Sequence, residues 1–115
     1  MKTALLLIDI QNDYFPGGKM ELVGMEEACG NASSILEDFR KKNLPVFHIR
    51  HLSTKPGSTF FLPGTEGAEI NEGAAPKGDE AVIEKHYPNA FRETDLLEKL
   101  KEQGIEELVV CGAMT

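Results

Sequence analysis

Residues 4–8 read Ala-Leu-Leu-Leu-Ile and residues 107–113 read Glu-Leu-Val-Val-Cys-Gly-Ala, two short apolar runs without polar alternation. A strand with one wet face alternates apolar and polar residues, whereas a strand covered on both faces has no polar face to show. Strands of that kind belong to parallel sheets, where crossover helices lie on both sides. This is the strongest constraint in the chain, because parallel neighbours need a long connection between them.

The intervening segments supply such connections. Pro16-Gly17-Gly18 marks a turn. From Glu26 to Asn43, Ala28, Ala32, Ile35, Leu36 and Phe39 recur at helical spacing, and Arg40-Lys41-Lys42 puts positive charge at the favourable C-terminal end. Pro45 stops that helix, and Val46–Leu52 reads as a second strand after the first, Thr3–Ile10. Residues 53–78 hold five of the eleven glycines and read as a long loop with at most a short helical turn, a length usually tied to function. Glu80–Lys85 is a third strand. Thr94 is placed to cap a helix running to Gln103, with Leu96, Leu97 and Leu100 facing inward and Gly104 just past its end. Glu107–Ala113 is the fourth strand. The order β-α-β-loop-β-α-β predicts an α/β fold, a Rossmann-like three-layer parallel sheet with right-handed crossovers. The 115 residues allow one domain. A fourth strand buried on both faces so near Thr115 would leave Leu108, Val109 and Val110 on an open edge or under an unfinished helical layer. The expectation is therefore a single domain over residues 1–115, an incomplete four-stranded part truncated at its C-terminal end.

Nineteen acidic residues against twelve basic ones give a net charge of −7, which argues against a basic nucleic-acid footprint and against a polybasic membrane anchor. The apolar run at 4–8 is too short for a secretory segment, which needs about 7–15 apolar residues, or for a membrane helix of about 18. Cys29 and Cys111 form no CxxC or Cys/His cluster, so a reduced, cytoplasmic setting is expected.

Open α/β sheets bind ligands at the carboxyl ends of their strands. Asp9 ends the first apolar run, where partial burial would make it a better proton acceptor; the same residue type also caps turns. Lys85 ends the third strand, where an ammonium stabilises a developing anion or a thiolate; a surface lysine is the plainer alternative. His48 and His51 lie three apart on a strand and so face opposite sides, which leaves no shared metal site. Cys29 and Cys111 read as small buried hydrophobes. No GxxxxGK[ST] is present, and no GxGxxG follows the first strand, so no cofactor is implied.

Taken in order, these segments resemble the isochorismatase-like family of cysteine hydrolases. ALLLIDIQNDYF (4–15) is similar to its opening strand with the acid, PVFHIRHL (45–52) to its second strand, and LPGTEGAEI (62–70) to its PGT-x-GAE loop. EKHYPNAF (84–91) is similar to its lysine segment, with Asn89 where serine is usual, and GIEELVVCGAMT (104–115) to the strand and turn before the nucleophile. The resemblance implies an Asp-Lys-Cys triad with Asp9 as acid/base, Lys85 as cationic partner, and a cysteine three positions after Thr115. Asp9 and Lys85 would converge from neighbouring parallel strands. Oxyanion donors would follow a non-proline cis peptide joining Ala113 and Met114. Gln11, Tyr14, Phe60, Phe61 and Phe91 are candidates to wall the pocket of a small-molecule substrate.

Relatives of the nicotinamidase kind hold a metal through an Asp-x-His pair after the second strand. Here His51, Ser53 and then Thr59 or Phe60 occupy those places, so no metal is expected, although PGG-x-M after Phe15 is of the nicotinamidase type. Hydrolysis of an amide or ureido C–N bond is the activity implied. The alternatives are vinyl-ether hydrolysis of isochorismate, which needs the acid but no cysteine, and a non-catalytic relative that binds a small ligand or partner. The family also implies a homo-oligomer, dimer or tetramer, with the 53–78 loop as the contact.

Overall fold

The computed structural model describes residues 2–112 apart from 20, 55, 60, 79, 88, 89, 91 and 93. Four strands, β1 (Thr3–Ile8), β2 (Val46–His51), β3 (Ala81–Lys85) and β4 (Glu107–Gly112), form one sheet in the order β3-β2-β1-β4. Every pairing is parallel, as the unalternating runs require, with Leu5 opposite Val46 and Val109, and Ile49 opposite Ile83. The chain winds outward from β1 through β2 to β3 and then returns to the other side of β1. The direction of winding thus reverses between β1 and β4, the place where open α/β sheets bind ligands.

Two helices cover the two faces. Helix α1 (Met25–Lys41) buries Met25, Cys29, Ala32, Leu36 and Phe39, a stripe at three- and four-residue spacing, against Leu5, Leu7 and Val46. Glu26 and Glu27 in its first turn and Arg40 and Lys41 in its last complement the helix dipole. It closes through Asn43, which is left-handed at φ 55°, while the Leu44 amide donates to the Phe39 carbonyl at 2.9 Å. Helix α2 (Leu96–Glu102) buries Leu96 and Leu100 on the opposite face with Ala4, Leu6, Phe47, Ile49 and Ile83. The expected Thr94 cap is corrected: Asp95 is the N-cap of α2 and makes no side-chain cap bond, while the Thr94 hydroxyl, one residue earlier, accepts from the Leu96 amide at 3.4 Å.

Some expectations are corrected. β1 stops at Ile8, not Ile10, because Asp9 turns left-handed at φ 59°. Leu97 is half exposed: α2 has seven residues, and one apolar stripe uses only Leu96 and Leu100. β4 is not buried on both faces. Val109 and Cys111 pack on the α1 side, but the α2-side core holds no β4 residue, which leaves Leu108 37% and Val110 53% exposed. The 53–78 segment carries two single 3₁₀ turns, Glu66–Ala68 and Glu72–Ala74. No helix among the described residues is long and apolar enough to cross a membrane.

Candidate active site

Asp9 and Lys85 follow and end β1 and β3, and β2 lies between those strands, so they are not on neighbouring strands as expected. Strands repeat about every 4.8 Å across a sheet, and the long lysine side chain spans the gap. Lys85 Nζ lies 3.2 Å from Asp9 Oδ2, with the side chains 2% and 12% exposed. Among the described residues Asp9 Oδ1 has no hydrogen-bond partner although it is buried. Burial raises the Asp9 pKa above the ordinary carboxylate value, and the Lys85 charge opposes that only in part. The pair therefore combines a carboxylate of raised basicity with a fixed cation.

Lys85 Nζ also donates to the Tyr87 carbonyl at 3.1 Å and lies 3.4 Å from His51 Nδ1. Burial, and then the charges of Lys85 and His86, push the His51 pKa down to about 4, so its ring is neutral at neutral pH. The main chain of His51 is gripped by Gln11. Its N–H donates to Gln11 Oε1 at 2.8 Å, and Gln11 Nε2 donates to its carbonyl at 2.8 Å and to the Ala68 carbonyl at 2.8 Å. Gln11 is fully buried, and its carboxamide engages main chain at both ends.

The next residues fasten the long loop. Asn12 Nδ2 donates to the Glu66 carbonyl at 2.9 Å, and Asn71 Nδ2 donates to Asn12 Oδ1 at 3.0 Å. Asp13, buried, accepts the Phe61 amide at 2.6 Å and the Lys19 amide at 3.3 Å. Phe61 is held left-handed at φ 55° and buried, edge-on to Tyr14 with ring centroids 4.8 Å apart and 5.8 Å from the His51 ring. Burial and the nearby Asp9 carboxylate raise the Tyr14 pKa. Asp9, Gln11, Tyr14, Phe61 and Lys85 thus gather around the carboxyl ends of β1–β3. Phe60, Phe91, Ala113 and Met114, with the expected cis bond, lie outside the described residues. His51 and Asp13 were missed as parts of this group. Their only signal in the sequence is polarity, of His51 at the end of β2 and of Asp13 in the turn that follows β1.

Away from this centre, Glu80 binds Arg40 through both oxygens at 2.7 and 2.8 Å and His48 Nε2 at 2.8 Å. Burial raises the pKa values of Cys29 and Cys111, opposite to the shift that activates a thiol. Among the described residues no three His, Cys, Asp or Glu side chains are grouped to hold a metal.

Residues 3–115 match the family model described as the Isochorismatase domain. An uncharacterized isochorismatase family protein of Bacillus subtilis, YddQ, is 54% identical over all of this chain and 64% of its own length. A solved isochorismatase from Pseudomonas putida superposes with a TM-score of 0.88 at 41% identity over 97% of this chain and 56% of that one. N-carbamoylsarcosine amidase from Thermoplasma acidophilum superposes at 0.89 with 27% identity over 97% and 68%. The chain thus spans somewhat less than two thirds of the Bacillus relative's length.

Proposed function

The chain belongs to the isochorismatase family, and from that premise we propose that it bears the acid–lysine part of a hydrolase centre cleaving an amide or ureido C–N bond of a small molecule. The observation that carries this is the buried contact of Asp9 Oδ2 with Lys85 Nζ, 3.2 Å apart at the carboxyl ends of the sheet. The name of the Thermoplasma relative, an amidase, favours C–N cleavage.

In this proposal the nucleophile is a cysteine three positions beyond Thr115. A free thiol has a pKa of about 8.5, and a neighbouring cation brings it into the range of roughly 3.5–7.5. Asp9 takes the thiol proton as sulfur bonds to the carbonyl carbon. As the C–N bond breaks, Asp9 delivers that proton to the departing nitrogen. Water then cleaves the thioester, giving one proton to Asp9, which returns it to sulfur. Main-chain N–H groups at the Ala113–Met114 peptide are the proposed oxyanion donors. Tyr14, Phe60, Phe61 and Phe91 are the proposed pocket walls, and the 53–78 loop the proposed contact of a homo-oligomer.

The test is ammonia release from N-carbamoylsarcosine and nicotinamide by the full-length protein. Asp9→Asn is expected to lower turnover by about 10²–10⁴-fold, and unchanged turnover overturns the proposal. If only isochorismate is consumed, at a rate that survives loss of the cysteine, vinyl-ether hydrolysis replaces it.

A further inference from the structure

We propose that His51 is the positioning residue that aims the Lys85 ammonium at Asp9, an assignment that rests on the hydrolase function proposed above. With β2 between β1 and β3, the Lys85 side chain has to cross the carboxyl end of β2 to reach Asp9. His51 is the residue at that end and the direct register partner of Lys85. Its Nδ1 lies 3.4 Å from Nζ. An ammonium only donates, so Nδ1 must present its lone pair and the ring proton must sit on Nε2. His51 Nδ1, Asp9 Oδ2 and the Tyr87 carbonyl then receive the ammonium from three different segments.

The acceptor is itself held. Gln11 pairs its carboxamide with both the N–H and the carbonyl of His51, and Phe61 packs on the ring. Among the described residues the charged groups that act on it are Lys85 and His86, with Asp9 bound to that same Lys85. His86 donates Nδ1–H to the Leu52 carbonyl at 2.9 Å and is near enough to add to the lowering of the His51 pKa. Engaging Nδ1 with a cation also removes that nitrogen as a metal ligand.

Nitrogen NMR of ¹⁵N-histidine-labelled full-length protein reads the contact directly, without substrate. The expected result is an Nε2–H tautomer that stays neutral down to about pH 4. An Nδ1–H tautomer, or an imidazolium at pH 6, overturns the proposal. Kinetics with N-carbamoylsarcosine or nicotinamide supply the second reading. His51→Leu, which fills the space without an acceptor, is expected to lower kcat by about tenfold to a hundredfold, as for loss of a charged hydrogen bond, with KM little changed. His51→Gln, which restores an acceptor, is expected to regain most of it. Turnover lost in Asp9→Asn but kept in His51→Leu overturns this assignment alone. Turnover that survives Asp9→Asn overturns the hydrolase proposal and this assignment with it.

Discussion

The main chain at Gly67 lies against the carboxylate of Asp13, with no room between them for a Cβ. Gly67 has no left-handed backbone to protect, so its requirement is this close approach alone. The carboxylate in turn holds the amides of Phe61 and Lys19. Gly67→Ala is expected to destabilise the fold by about 1–3 kcal/mol through overpacking. Asp13→Ala removes the clash but strands the buried Phe61 amide and frees the outer amide of Lys19. The double variant should therefore lose clearly less than the sum of the singles, read from urea midpoints at equal slope. Additive losses would mean that the two residues do not press on each other.

Asp9 and Lys85 should show strong coupling of their own. Asp9→Asn leaves a buried ammonium without its counter-charge, and removing one member of a buried pair costs about 3–5 kcal/mol. Asparagine also tolerates φ 59°, so backbone strain adds little. Lys85→Met in the Asp9→Asn background should recover a large part of that loss. A thermodynamic cycle by chemical denaturation measures it, and independent effects would show that the two side chains do not meet in solution.

The sheet was legible because its signal is local and repeated. Apolar runs without alternation at 4–8 and 107–113 announce parallel strands, and α1 shows its stripe at Ala32, Leu36 and Phe39, although Ala28 is exposed and Cys29 takes its expected place in that stripe. What was not legible depends on how far covering elements reach. Nothing in Leu108 or Val110 says that α2 is short and packs over β1, β2 and β3, which leaves these two outside. The acid and the lysine were found from their places at strand ends. Their separation by β2, and with it the contact with His51, follows from strand order, which no single segment encodes. Gln11 drew notice as a pocket wall, yet its carboxamide engages peptides 40 and 57 residues away.

Stability should fall in two stages on acidification. The folded pKa values of His48 and His51 lie below the ordinary 6.5. The folded state then binds fewer protons than the unfolded chain. Their contribution is full above about pH 6.5 and is lost as pH falls through the folded value, about 4 for His51. Glu80, held down to about 2 from 4.5, mainly by the Arg40 and His48 hydrogen bonds against a burial effect of opposite sign, adds a second loss below about 4.5. Asp9, shifted upward, works in the reverse sense above 3.8. Urea midpoints from pH 8 to pH 3 should decline across both windows, and His51→Gln should flatten the first. A profile that is flat between pH 6.5 and 4.5 and stays flat in Asp9→Asn, which removes the opposing contribution, would show that both histidines titrate normally in the folded state.

The exposed flank of β4 makes the last prediction. Among the described residues β4 pairs only with β1, and Val110 and Leu108 on it are 53% and 37% exposed. An open apolar edge is a template for pairing with another chain, and natural sheets blunt such edges with lysine. At 53% exposure Val110 contributes little packing, so Val110→Lys is expected to change stability by no more than about 0.5 kcal/mol. It should nevertheless raise the concentration at which the 115-residue chain stays monodisperse by light scattering. Val109→Lys is the control, because Val109 packs on the α1-side core and a charge there should unfold the chain instead. If Val110→Lys scatters as strongly as the parent, self-association proceeds through another surface, and the 53–78 loop becomes the next one to mutate.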